Sequence, residues 1–270
     1  FIYSGTQAVD KINRIMMLGL SISYILLVYY LPQHIETKNL LHFDLKPIFF
    51  AIPVVAVAFG YHIVIPSLVS YCQRNRTDLI KILVIGSFLP LVINIIFQFL
   101  AIGVLPIHGK LSIISAYLNQ EAVTVPIASL INAPLIKFSA KFFTFFAIIT
   151  SFLGVAMSLS DFLTDGLGLD KKPKGKIISL TLTFMPSLIL IIIIGKSFLT
   201  ALQFAGSFAA LLMLFLPAFM AWNLKEHPFY TSTKGRIVLS TLILFGVIVA
   251  VLSILQGMGK LEFFIQDYLN

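Results

Sequence analysis

The sequence predicts an all-α, polytopic membrane protein with seven transmembrane helices, and three observations carry that expectation. Hydrophobic residues make up 59% of the 270 positions and charged residues only 11%, and mean hydropathy is +0.99, which is more apolar surface than a soluble core of this size can hide. The apolar residues gather into runs of about 20, the length that crosses bilayer hydrocarbon as an α-helix. Between the runs lie the Pro, Gly and charged residues that punctuate helices.

The first run, 12–31, carries Ser21, Ser23 and Tyr24 and ends on Tyr29-Tyr30, aromatics of the kind found at the membrane interface. The second, 47–70, contains Pro53 and then the cluster Phe59-Gly60-Tyr61-His62-Ile63-Val64-Ile65-Pro66-Ser67. The third, 82–105, holds Pro90, Asn94 and Gln98. The longest connection, 106–137, is broken by Pro106, Gly109, Pro126, Asn132 and Pro134 around apolar pieces such as Leu111 to Leu118. Short external helices lying over a mouth fit that composition, because a loop this long is often a lid. The fourth run is 138–163, the fifth 177–194 with Pro186, the sixth 198–222 with Gln203, Gly206, Ser207 and Pro217, and the seventh 237–256. Trp222, at the end of the sixth, reads as an interfacial aromatic. Phe1 to Asp10 looks like the tail of a preceding helix and its loop, so residues 1–270 are expected to form a single, N-terminally truncated transmembrane domain.

The net charge of +8 points to a membrane topology and not to nucleic acid. With the N-terminal end placed in the cytoplasm, twelve of the nineteen Lys and Arg residues fall on the cytoplasmic side and seven on the other. The excess sits in short loops, where the positive-inside rule operates. The expected C-terminal end is therefore external. The single Cys72 excludes an intrachain disulfide.

Two spans hold the candidate functional residues. In the second, the helix breaker Gly60 and the downstream Pro66 free backbone groups at a depth where no water can bond them. Such backbone is tolerated in hydrocarbon only when protein or a polar cavity surrounds it. Discontinuous helices of this kind expose dipoles to substrates and ions in secondary transporters. The plainer alternative is a Pro-kinked helix whose His62 bonds a neighbour. An imidazole there could bond substrate or backbone, or exchange a proton, its ordinary pKa being about 6.5.

In the fourth span, Ala140, Thr144, Ala147, Ser151, Gly154, Ser158, Asp161 and Asp165 recur at steps of four and three, which keeps them on one narrow helical face. Small residues let helix backbones approach, and the hydroxyls of Ser151 and Ser158 could equally bond carbonyls of their own helix. Asp161 and Asp165 must pair, be protonated or face water; pairing with Lys171 or Lys172 is the plainer reading. Polar residues in other spans, Gln203 among them, serve either as substrate contacts or as ordinary glue between helices.

Enzyme chemistry finds little support. The five histidines (His34, His42, His62, His108, His227) show no paired metal-ligand spacing. Gly195-Lys196-Ser197 lacks the upstream glycine of a phosphate-binding loop, since position 190 is Leu190. Asn75-Arg76-Thr77 matches a glycosylation sequon but falls in an expected cytoplasmic loop. An integral membrane enzyme and a non-transporting scaffold remain the alternatives to a transporter.

Several segments resemble the bacterial aromatic amino-acid permeases, the tryptophan/tyrosine permease group among the amino-acid/auxin permease relatives. They are Ala8-Val9-Asp10-Lys11-Ile12-Asn13-Arg14, Phe59-Gly60-Tyr61-His62 with Pro66-Ser67-Leu68, and Thr150-Ser151-Phe152-Leu153-Gly154-Val155 followed by Asp161-Phe162-Leu163. The resemblance runs over nearly the whole chain in matching order. It implies an eleven-helix inner-membrane protein with a five-plus-five inverted repeat (LeuT-type), of which the present spans are helices five to eleven. It further implies proton symport of tyrosine or tryptophan by alternating access, sodium being less favoured, with no cofactor and no metal. On that pattern Phe59, Gly60, Tyr61, His62, Ser67 and Gln203 contact the substrate. Ser151, Gly154, Ser158 and Asp161 take coupling or gating roles. The implied location is the bacterial inner membrane, N-terminal end cytoplasmic and C-terminal end periplasmic.

Overall fold

The computed structural model describes residues 6–41, 45, 47–61, 65, 68–69, 72–73, 75–170, 172–194, 198–224 and 228–260. Among them every regular element is helical. The main helices are α1 (Thr6–Tyr30), α2 (Ile48–Ala58), α3 (Arg76–Val104), α4 (Ile113–Asn119), α5 (Thr124–Ile131), α6 (Pro134–Gly166), α7 (Pro173–Ile194), α8 (Phe198–Ala210), α9 (Leu216–Trp222) and α10 (Thr233–Gly257). A 3₁₀ turn, Leu31–His34, extends α1, and a π-helical turn, Leu211–Phe215, joins α8 to α9.

Six helices among the described residues are long and apolar enough to cross a bilayer: Lys11–His34, Arg76–Val104, Pro134–Gly166, Pro173–Ile193, Phe204–Trp222 and Thr233–Gly257. The chain is a multi-pass membrane protein. The second expected span, 47–70, differs. Its regular helix covers only the 11 residues Ile48–Ala58, about 16 Å at 1.5 Å per residue and half the hydrocarbon thickness. The helix stops where the sequence carries Phe59-Gly60.

Local chemistry explains the other boundaries. In the long connection two short helices form, α4 and α5. Ser112 caps α4 by accepting the Ser115 N–H at 3.0 Å, and left-handed residues follow both helices, Gln120 at φ 55° and Asn132 at φ 53°. Pro134 opens α6, a position that needs no N–H. Ser232 caps α10 through the Gly235 N–H at 3.1 Å.

The chain divides into two compact units, one built from Phe1–His42 and Phe88–Lys196, the other from Phe43–Ser87 and Ser197–Asn270. In the first, α1 lies along α6. Its core gathers Leu27, Leu31, Leu100, Ala101, Ile127 and Ile136 at one end. In the second, α2, α8 and α10 pack on one another, and the π turn packs on α10.

Candidate functional site

The interruption of α2 is built by backbone geometry. Phe59 still donates to Val55 at 3.3 Å, but Gly60 donates to Val57 at 2.9 Å and Tyr61 to Phe59 at 2.9 Å. The spacing thus tightens from four residues to three and then to two, and the regular bond from Gly60 to the Ala56 carbonyl is replaced. Only glycine fits this turn without adjustment: a Cβ on residue 60 would stand 2.9 Å from the Val57 carbonyl oxygen. Tyr61 is anchored from its other end. Its hydroxyl lies 2.6 Å from Ser87 Oγ, and Ser87 spends its own proton on the Leu83 carbonyl at 2.7 Å. Tyr61 is therefore the donor in that pair.

A second irregularity faces the first. The Sδ of Met213, in the π turn, stands 3.8 Å from the position of a Cβ on Gly60. Pro217 accounts for the turn. It cannot donate to the Met213 carbonyl and its ring crowds that oxygen, so the helix widens, and Leu216 N–H reaches back to Leu211. Small residues seat this region closely. A Cβ on Gly206 would lie 2.7 Å from Ser253 Oγ and 3.4 Å from the Pro53 carbonyl, and one on Gly246 would lie 3.0 Å from Leu214 Cβ. The neighbouring Ser207 hydroxyl is buried without a hydrogen-bond partner among the described residues. A widened turn and a tightened helix end together give backbone dipoles that a polar ligand could use.

His62 and Ser67 lie outside the described residues, as does the side chain of Gln203, which stands on α8. The expected residues of the fourth span are on α6, in the other unit. Ser151, Gly154 and Asp161 are exposed and Ser158 is half-buried. A Cβ on Gly154 would meet nothing within 4 Å. In this half of α6 the buried residues are Leu153, Ala156 and Ser160. Lys172 pairs with Asp170 at 3.8 Å, and Lys171 is outside the described residues.

What reasoning from the sequence missed is a hydroxyl network between α6 and α7. Ser179 Oγ donates to the Ser160 carbonyl at 2.7 Å. Ser160 Oγ, 2.9 Å from Ser179 Oγ, is then the donor between the two hydroxyls, and Thr183 donates to the Ser179 carbonyl at 2.8 Å. All three side chains are buried. The recurrence of Ser179 and Thr183 at a step of four was the available signal. Among the described residues no group of three or more His, Cys, Asp or Glu is placed to hold a metal ion.

Comparison with known proteins adds the following. The sequence profile described as the tryptophan/tyrosine permease family matches residues 1–253. A tryptophan-specific transport protein of Haemophilus influenzae is 29% identical over 269 residues, which cover 96% of this chain and 64% of that protein. A tyrosine-specific transport system of the same organism is 26% identical over 266 residues, 97% and 66% of the two chains. A low affinity tryptophan permease of Escherichia coli is 30% identical over 205 residues, 75% and 49% of the two. The chain therefore spans about half to two thirds of the length of these curated relatives. No solved structure matches it.

Proposed function

The chain belongs to the tryptophan/tyrosine permease family, and on that premise we propose that it is part of a secondary transporter importing aromatic amino acids by proton symport through alternating access. The observation that carries the reading is the interruption at Phe59–Tyr61 in an otherwise apolar segment. Carbonyls ending the first half-helix suit a substrate ammonium group, and amides beyond the break suit its carboxylate. Phe59 and Tyr61 supply aromatic surface for an indole or phenol ring. His62, Ser67 and Gln203 complete the proposed substrate set. Ser151, Gly154, Ser158 and Asp161 are assigned to coupling or gating, on the resemblance of their segment to the family pattern. Seven membrane crossings follow if the segment resumes after the break, and the five-plus-five inverted repeat belongs to the same proposal. The location we assign is the bacterial inner membrane, N-terminal end in the cytoplasm and C-terminal end in the periplasm.

The test is uptake of labelled tryptophan and tyrosine by the full-length protein in vesicles, with and without a pH gradient. Accumulation that requires an inward proton gradient, persists without sodium and collapses with a protonophore is the expected result. Absence of uptake of either amino acid by correctly inserted protein overturns the reading. His62→Gln separates two roles, because glutamine bonds but does not titrate. Unchanged pH dependence of accumulation in that variant excludes proton carriage by His62 and leaves a binding role. His62→Ala indistinguishable from the parent in affinity and rate removes both.

A further inference from the structure

Where α5 meets the start of α6, a cavity of about 480 Å³ opens on the surface, lined by Thr124, Lys137, Lys141, Thr144 and Phe145 among others. We propose that this cavity seats the headgroup of an anionic phospholipid, its phosphate held by Lys137 and Lys141 and its acyl chains laid along the exposed face of α6.

The two lysines are four residues apart, so they share one face of α6 within its first two turns. Lys137 gives one proton to Asn132 Oδ1, which leaves its ammonium group two more donors. No acidic side chain among the described residues lies in salt-bridge range of either lysine. Below them the helix turns apolar. Phe142, Phe145, Ile148 and Phe152 are all exposed on the same side, and a second groove of about 400 Å³ runs beside Lys141, Phe142 and Phe145. From Lys141 to Phe152 the helix advances about 16 Å, the scale of an acyl chain and not of a single ring. In hydrocarbon, a lysine among exposed phenylalanines is costly unless its head reaches an interfacial anion.

The lining also disfavours other ligands. It contains no carboxylate, so the ammonium group of a zwitterion, whether amino acid or phosphatidylethanolamine, would face two cations without a counter-charge. The threonines do not supply one. Thr144 Oγ1 donates to the Ala140 carbonyl at 2.9 Å, and Thr124 Oγ1, 2.5 Å from Thr144 Oγ1, donates to it in turn. Their protons are committed inside the protein, and the anion is left to the lysines.

Lipid retention by the purified full-length protein, read by native mass spectrometry, tests this independently of transport. Phosphatidylglycerol should be retained in preference to phosphatidylethanolamine of the same acyl chains, and inorganic phosphate at equal concentration should not displace it. Neutralising the site should weaken retention about fivefold per lysine, so Lys137→Gln with Lys141→Gln should lose most of it. Lys137→Arg with Lys141→Arg should restore it, and Lys172→Gln with Lys174→Gln should leave it unchanged. Equal retention by the parent and the double Gln variant, expected if protein covers this face, overturns the proposal. So does equal retention of the two lipids by the parent, a measurement that stands even if the double variant fails to insert.

Discussion

Two glycines in the second unit are held by what lies against them, and the distances rank them. At Gly206 a methyl group would press on Ser253 Oγ at 2.7 Å, and Ser253 is buried and bonded to Val249 at 2.8 Å. Gly206→Ala should therefore cost about 1–3 kcal/mol by overpacking, seen as a lower Tm in detergent. Gly154→Ala is the control. With nothing within 4 Å of the new methyl and a gain in helix propensity of up to about 1 kcal/mol, its Tm should equal or exceed the parent's. At Gly60 the collision is with backbone, the Val57 carbonyl at 2.9 Å, so Gly60→Ala must move the turn itself. The expected outcome is near-parental membrane insertion on immunoblots with at least a tenfold fall in initial uptake rate. Uptake at the parental rate would remove the turn from the mechanism. Gly60 was legible in the sequence as a helix breaker in an apolar run. Gly206 was not, since its constraint comes from α2 and α10, which are distant along the chain.

At the scale of elements, hydropathy located the spans well because length and apolarity are local properties. The runs 12–31, 82–105, 138–163, 177–194 and 237–256 fall on helices of spanning length that start a few residues earlier, and 198–222 contains the span Phe204–Trp222. Faces are harder to read. The repeat Ala140 to Asp165 described one stripe, and Ala140 is indeed buried. Further along, α6 is buried on Leu153, Ala156 and Ser160, which at about 100° per residue lie roughly opposite Ser151 and Ser158. The second half of α6 meets α7 through Ser179 and the Phe152–Phe184 stack at 5.7 Å. Nothing within α6 announces that contact. The hydroxyl network makes a separate prediction. Ser179→Ala removes the acceptor of Ser160 Oγ and one donor to the Ser160 carbonyl, and should cost about 1 kcal/mol of stability in micelles. Thr181→Ala, on the exposed side of α7 with its hydroxyl bonded to its own helix, should change stability by less than about 0.5 kcal/mol.

For the whole molecule, the interrupted segment decides the topology. Among the described residues six helices are long enough to cross unaided, and α2, at 11 residues, is not. If the chain resumes beyond the break and completes the crossing, Lys38 and Arg76 lie on opposite sides of the membrane. If it turns back, they share a side, and every later connection changes face. In either case Arg74, Arg76 and Lys81 share one cationic side with Lys171 to Lys176 and Lys234 with Arg236; a full crossing adds Lys11 and Arg14 to that side, and a re-entrant segment adds Lys38 and Lys46 instead. Single cysteines introduced by Lys38→Cys, Arg76→Cys, Lys110→Cys and Lys174→Cys, all at exposed positions, in a Cys72→Ser background, read this out in intact cells. A membrane-impermeant maleimide should label positions 38 and 110 from outside, and positions 76 and 174 only after the membrane is opened. Labelling of 38 and 76 from the same side would make 47–70 a re-entrant segment. The break at Phe59–Tyr61 would then be the tip of a loop and not the midpoint of a crossing helix.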